Sequence, residues 1–400
     1  MNEPITSPSR RTQQPYIGLA LSGGGARAMA FHLGCLRALH DRGVLGKVRV
    51  LSTVSGGSVI GACYAYSPDE FEVFDAKVVR LLRTGLQRLI FKEALFSPEL
   101  LRIAFTVILS GFPAIVLWSL TVVLGLFRTL IGVPTQATEH RLTSFRRSLP
   151  VWGSLTTALE RALNKLFGGS TVRDVSKIGL HVVINACDLK TGTAFRFGSK
   201  RSGGWRYGDV IGSAPTVAKA VAASAAFPIL LPPLVESFEF AKRGVVEEHT
   251  VYLTDGGVFD NLGVAILEPG REAEITDTYP VTHIISLNAG PGQLDGADQP
   301  FWWAGRVAKS FEAVHRKSQD HVYSRLHRYV ENGELTGFGM VYLGQQDARL
   351  PYRPIDLVTR DEVRCYPTDF APMPDRDIEL LTKRGEQLTQ IILDRYLPDL

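Results

Sequence analysis

Three glycine-flanked turns carry the residues of this chain best suited to chemistry. The first is Ser55-Gly56-Gly57-Ser58, set between an apolar stretch, Val48 to Val54, and a run of small residues, Val59 to Ala65. A serine on a tight strand-to-helix turn lifts its hydroxyl off the sheet edge, where helix N-terminal amides favour developing negative charge. Such a turn tolerates little bulk. Counted from Ser58, Gly56 fills the minus-two place and Gly61 keeps the next turn small, whereas Ile60 stands where a plus-two glycine is usual. Ser58 is therefore the expected nucleophile, and a simple helix cap is the non-catalytic reading. Ser55 is the alternative, disfavoured because Thr53 would crowd its own minus-two place.

The second turn is Gly23-Gly24-Gly25-Ala26-Arg27. Consecutive glycines let backbone amides converge on one point, which suits an oxyanion or a phosphate. A dinucleotide site would want an acidic residue at the end of the following strand. That strand ends in Ser52-Thr53-Val54, and no Gly-Lys-Ser/Thr follows the glycines, so the oxyanion reading is preferred. The third turn is Asp255-Gly256-Gly257. Asp-Gly is a common turn on structural grounds alone. A strand-end carboxylate followed by two glycines can also approach a serine closely and take its proton. Asp260 is the alternative base, and Asp188 is expected to brace a turn. His32 lies one helical turn past the glycine loop and is expected to pack. His283, His315 and His321 do not sit in the glycine-rich post-strand loops that suit a catalytic imidazole.

These turns need a sheet to hold them. Tyr16 to Leu21 and Val48 to Val54 read as buried strands, each leading through glycines into a helix, which implies a parallel sheet in an α/β fold. Strand patterns return at His181 to Cys187, Ala194 to Phe197, Val251 to Thr254 and Val281 to Leu287. Helices are expected at Ala214 to Ala226, Trp302 to Val330 and Asp375 to Tyr396.

Taken together, Leu19 to Arg27, Ser55-Gly-Gly-Ser58 and Asp255-Gly-Gly257 resemble the patatin-like phospholipases. Asn185-Ala-Cys-Asp188 with its Thr191-Gly192 turn, and Ala223 to Pro228 ahead of Pro232-Pro233, support the likeness. It covers Tyr16 to Ser67 and Gly179 to Leu287. The resemblance implies a three-layer α/β/α fold with a mainly parallel sheet and a Ser–Asp dyad that works without histidine. Carried over, Ser58 is the nucleophile and Asp255 the base, with Gly23, Gly24, Gly25 and Arg27 at the oxyanion hole. Gly56, Gly57, Gly61, Gly256 and Gly257 shape the elbow and the turn. The implied activity is hydrolysis of fatty-acyl esters of lipids through an acyl-serine, with no metal and no organic cofactor. A catalytically silent lipid-binding or membrane-scaffold relative, or an acyltransferase, is the alternative.

The 400 residues include 44 basic and 40 acidic side chains, a net charge of only +4, so composition gives no argument for a nucleic-acid partner. The four cysteines are far apart and form no CxxC pair. Ile103 to Phe127 carries no charge. As one helix it would measure roughly 37 Å, enough to cross a ~30 Å hydrocarbon core. A single crossing would, however, place residues 58 and 255 on opposite sides of the bilayer. A re-entrant hairpin bent at Gly111-Phe112-Pro113 and entering one leaflet is therefore preferred, with a buried or lid-like helix pair and a true span as the alternatives. Lys77, Arg80, Arg83, Arg88 and Lys92 before it, and Arg141, Arg146 and Arg147 after it, would meet anionic head groups. The expected organisation is a loose tail over 1–15 and a catalytic domain over 16–290, interrupted by a helical, membrane-associating insertion at 71–170. A C-terminal helical extension over 291–400 completes it, and the protein is expected on the cytoplasmic side of a membrane.

Overall fold

The computed structural model describes residues 15–147, 149, 151–228, 231–271, 278–292 and 301–400. Most of the expected 1–15 tail lies outside the described residues.

Ile-Gly-Leu-Ala-Leu is apolar without alternation, the pattern of a strand covered on both faces, and it forms the fully buried β1 (Ile17–Leu21). The glycine loop follows, and then α1 (Gly25–Asp41). β2 (Val48–Val54) leads directly into α2 (Gly56–Ala65). The insertion then supplies α3 (Phe71–Thr84), α4 (Leu86–Phe96), α5 (Glu99–Ile131), α6 (Gln136–Arg147) and α7 (Leu155–Phe167). The sheet resumes with β3 (His181–Asp188), β4 (Thr193–Gly198), β5 (Gly203–Gly204) and β6 (Gly208–Val210). After α8 (Val217–Ser224) comes a long hairpin of β7 (Leu234–Lys242) and β8 (Val245–Asp255). The chain ends with β9 (His283–Asn288), α9 (Trp303–Glu331), β10 (Gly337–Tyr342) and α10 (Asp375–Tyr396).

The described strands form one sheet in the order β10-β9-β1-β2-β3-β4-β5-β6-β7-β8, with β8 also pairing to β3. The segment from β10 to β3 is parallel and the hairpins beyond it are antiparallel. The expected α/β architecture with an inserted hydrophobic helical segment is thus present. The C-terminal segment is more than helical, because β10 extends the sheet beside β9. Its last helix, α10, packs on α1 at glycine contacts. A Cβ on Gly34 would lie 1.9 Å from the Thr382 carbonyl oxygen, and one on Gly385 would lie 2.3 Å from that of Phe31. Only glycine admits so close an approach.

Register sets the functional edge. Val54 at the end of β2 pairs with Asn185 on β3, and the next β3 residue, Ala186, pairs with Asp255 at the end of β8. The end of β2 and the end of β8 therefore flank β3 at one level.

The expected hairpin bend at Gly111-Phe112-Pro113 is not what forms. α5 runs unbroken over 33 residues, with a π turn at Val107–Gly111 immediately before Pro113. The widened turn accommodates the missing donor and the ring, so the proline does not end the helix. The chain turns back instead at Gly132, which is left-handed with φ of 76°. Thr135 Oγ1 then donates to the Leu124 carbonyl, 3.1 Å away, and Arg128 pairs with Glu139 at 3.1 Å. The amides of Trp152 and Gly153 donate to Thr106 Oγ1 at 2.9 and 3.0 Å, so the excursion returns to the side it left.

Candidate active site

The turn after β2 holds the most constrained backbone of this edge. Ser55 adopts φ 51° and ψ −120°, and Arg243, in the β7–β8 turn, is the one other described non-glycine residue with positive φ. A strained, non-glycine position of this kind points to function when its surroundings hold it in place. Those surroundings are explicit here. The Ser55 amide donates to Ser224 Oγ at 3.0 Å, and the Ser55 carbonyl accepts from the amides of Ser58 and Val59 at 2.8 and 3.2 Å. The Ser55 side chain lies close enough to the Asp255 carboxylate to oppose the rise in its proton affinity. Its residue is 7% exposed, so the hydroxyl lies at the rim of the interior.

Ser58, the expected nucleophile, sits elsewhere. It is the third residue of α2, fully buried, and its hydroxyl engages Thr53 Oγ1 at 3.1 Å and Ser224 Oγ at 2.8 Å. Ser58 Oγ is thus engaged away from Asp255, and Ser55 is the serine that acts on the carboxylate's proton affinity. The objection to Ser55 was bulk at Thr53, and the fold removes it. The Thr53 methyl occupies space that a Cβ on Gly61 would need, 2.5 Å away, so a glycine eight residues on makes room for the threonine. Counted from Ser55, the plus-two place is Gly57, where a Cβ would lie 2.5 Å from the Leu21 carbonyl oxygen. Ile60 is simply core.

Asp255 closes β8. Its Oδ1 accepts from the Gly257 amide at 2.7 Å, and its own amide donates to the Ala226 carbonyl at 3.0 Å. Burial pushes its carboxyl up to about 6, against the opposing pull of the nearby Ser55 side chain and the Gly257 amide. A carboxylate with a raised proton affinity beside a hydroxyl can accept that hydroxyl's proton near neutral pH. Asp260 is no rival, because its two oxygens accept from the Leu262 and Ala265 amides at 3.1 and 2.8 Å. Asp188 braces the Lys190–Thr191 turn and also accepts from the Tyr252 amide. His32 packs as expected. Burial pulls its imidazole down to about 4, and Nε2 lies 3.0 Å from the Ser22 carbonyl oxygen.

The glycine loop divides into engaged and open amides. The Gly23 amide donates to the Asn261 carbonyl at 3.0 Å. Those of Gly24 and Gly25 have no acceptor among the described residues. A Cβ built on Gly56 would lie 2.9 Å from the Gly25 nitrogen, which puts that amide against the elbow. Arg27 turns away to tie down the C-terminal segment, through Nε to the Ala289 carbonyl at 3.0 Å and Nη1 to that of Tyr366 at 2.9 Å. The Ala26 amide joins it, donating to the Asp369 carbonyl at 2.8 Å. Beside Gly257, a cavity of about 140 Å³ lies between residues 257–262 and α9.

Three residues that sequence reasoning left without a role hold the elbow. Ser224 Oγ donates to the Asn185 carbonyl at 2.6 Å while meeting both the Ser55 amide and the Ser58 hydroxyl. Asn185 Nδ2 reaches Ser52 Oγ at 2.9 Å and the Thr53 carbonyl at 3.0 Å. Asn261 supplies the carbonyl for Gly23. Ser224 and Asn185 belong to the Ala223 to Pro228 and Asn185 to Asp188 motifs, which were the available signal.

Comparison with known proteins agrees with this layout. A family model described as patatin-like phospholipase matches residues 19–267. A patatin-like phospholipase domain-containing protein of Caenorhabditis elegans is 49% identical over 57 residues, 14% of this chain and 4% of that protein. A lysophospholipase of Pyricularia oryzae is 38% identical over 66 residues, 16% of this chain and 4% of that protein. Both matches are local, and the chain spans only that small fraction of these relatives. Among solved structures, human GIVD cytosolic phospholipase A2 in complex with methyl gamma-linolenyl fluorophosphonate aligns with 96% of this chain and 58% of its own. The TM-score is 0.51 at 14% identity, a likeness of fold. With the family model matching well over half of its length, this chain belongs to the patatin-like phospholipase family.

Proposed function

We propose that the chain is a lipid acyl-ester hydrolase of the phospholipase A or lysophospholipase type, with Ser55 as nucleophile and Asp255 as base. One observation carries the reading: the strained elbow serine stands beside a buried carboxylate whose proton affinity burial raises. Ser55 Oγ attacks the ester carbonyl carbon while its proton passes to Asp255. The oxyanion forms beside the open amides of Gly24 and Gly25. Collapse expels the alcohol, which takes the proton back from Asp255, and leaves an acyl-Ser55. Water then attacks the acyl group, again losing its proton to Asp255, and the fatty acid departs as Ser55 is reprotonated.

The enzyme works at the cytoplasmic face of a membrane, with 16–290 as catalytic unit, 71–170 as its membrane-associating insertion and 291–400 packed on the same body. The most apolar 18-residue window of α5 has a mean hydropathy of 2.2, with only 6% of it buried. The return arm, α6, carries Glu139, His140, Arg141, Arg146 and Arg147. Charges of that number are costly at mid-bilayer, which favours an excursion into one leaflet over a full crossing. Arg80, Arg88 and Lys92 are exposed near its base.

A fluorophosphonate probe tests the assignment. The expected result is stoichiometric labelling, with fragment-ion mapping of the adduct to Ser55. An adduct on Ser58 would return the nucleophile to that position. No adduct and no turnover of any acyl ester would favour the silent lipid-binding alternative.

A further inference from the structure

α9 is far longer than its place in the sheet requires. It connects β9 to β10, which are parallel, so it must run from the edge holding the glycine loop back to the opposite edge. Asn288, the last residue of β9, bonds the Tyr323 hydroxyl at 2.5 Å and Gln319 at 3.5 Å, and Val322 and Leu326 enter the core below. The same edge meets α9 as far back as Val314, which with His315 and Ser318 lines the cavity beside residues 257–262, and Arg316 donates to the Gly292 carbonyl. Residues 303–313, roughly 16 Å of helix at ~1.5 Å per residue, extend past these contacts.

This end of α9 is apolar on one stripe and basic beside it. Trp303, Val307 and Val314 fall within about 40° of one another on the helix and are 70%, 60% and 70% exposed. Phe301 and Trp302, just ahead of the helix, are 87% and 77% exposed. Arg306 and Lys317, both exposed, flank the stripe. Adjacent exposed aromatics with flanking cations match the zone between head groups and acyl chains, where indole rings and basic side chains both find partners.

We propose that the projecting end of α9, with Phe301 and Trp302, is a second membrane-docking surface, distinct from α5, that seats the catalytic edge on an anionic lipid bilayer. The proposal deepens the reading of the chain as a lipid hydrolase, since it places the lipid surface at the same edge as Ser55. A peripheral enzyme held only by α5 would be tethered but free to face away. Two contacts fix the edge that meets the lipid.

The test uses the full chain carrying Ser55→Ala, so that binding is read without turnover. The tryptophans at 118, 152 and 205 are replaced by phenylalanine, leaving Trp302 and Trp303 as reporters. On vesicles of phosphatidylcholine and phosphatidylglycerol, their emission is expected to shift to the blue and to be quenched at least twofold by brominated acyl chains. In an otherwise wild-type chain, Trp302→Ser/Trp303→Ser/Val307→Ser is expected to keep soluble short-chain ester hydrolysis within about twofold and to lose at least tenfold on vesicles. Bound protein without quenching, or vesicle turnover unchanged in the triple variant, overturns the proposal. Self-association of the wild type that the triple variant abolishes, with vesicle binding intact, makes a second copy the occupant and also overturns it. Quenching in a chain that hydrolyses no ester supports the docking surface while removing the hydrolase reading.

Discussion

The catalytic edge and α5 are built on opposite terms. At the edge, Ser55, Ser58, Asp255 and Ser224 are all buried, and each has named hydrogen-bond partners within the fold. α5 is tied to the main body at its base, where the buried Glu99 meets Thr157 and Arg161, and farther out it meets mainly the return arm, α6. Farther out, Ile108, Phe112, Ile115 and Leu130 are each more than 60% exposed. A strained elbow costs free energy that dense packing around it offsets. The apolar surface that α6 leaves uncovered has no such compensation in water. Under the proposed function, lipid would supply it.

Removing the elbow hydroxyl is the hardest blow to that contrast. Ser55→Ala is expected to lower turnover of a soluble acyl ester on the order of 10³-fold or more. Ser58→Ala, which loses the hydrogen bonds to Thr53 and Ser224, should lower it roughly fivefold. Steady-state kinetics with both variants decides between them, and equal losses would break the assignment.

Asp255 sharpens the comparison through pH. Its folded-state proton affinity lies above the unfolded value of 3.8, at about 6. Its contribution to stability is therefore fully present below about pH 4 and lost as pH rises through about 6. Turnover runs the other way, because the base must be ionised, and kcat/KM should rise through about pH 6. Asp255→Asn should abolish turnover yet raise unfolding stability at pH 8 by about 3 kcal/mol, at ~1.4 kcal/mol per pH unit. Denaturant titrations of both proteins measure it, and a destabilised variant would show that the carboxylate is better paired than its burial implies.

A smaller effect is expected where glycine makes room for the elbow. Gly61→Ala should cost roughly 1–3 kcal/mol by crowding the Thr53 methyl. Adding Thr53→Ser, which removes that methyl, should recover most of the loss in a double-mutant cycle. Additive losses would mean the two side chains do not compete.

The smallest change in stability should come from α5. Ile108→Ser, Phe112→Ser and Ile115→Ser are each expected to shift unfolding in solution by no more than ~0.5 kcal/mol. Phe74→Ala in the core should cost ~3–5 kcal/mol. Chemical denaturation in the absence of lipid gives both numbers. A large loss from the α5 substitutions would mean these side chains have a protein partner after all.

Much of the edge was legible in the chain. The strand–glycine–helix units, the glycine loop and Asp255 are local patterns, and local patterns survive in one dimension. The sequence reading centres the elbow on Ser58, three residues past the proposed nucleophile, because glycine counts cannot report which serine takes a positive φ. Thr53 looked prohibitive because its relief comes from Gly61, a turn and a half into the next helix. β10 escaped notice because Gly337 to Tyr342 pairs only with β9, a partner more than forty residues away. The bend expected at Pro113 failed for a local reason of another kind, since a single π turn absorbs the proline and leaves no hinge.

The anchoring of the glycine loop by Tyr366 and Asp369 has a temporal side. Residues 24–27 leave the ribosome well before Tyr366 and Asp369, whose carbonyls hold Arg27 and Ala26. At roughly 5–20 residues per second, the interval is on the order of tens of seconds. A nascent chain would therefore carry an unanchored glycine loop over that interval, and under the proposed mechanism it would stay idle until both anchors had been made.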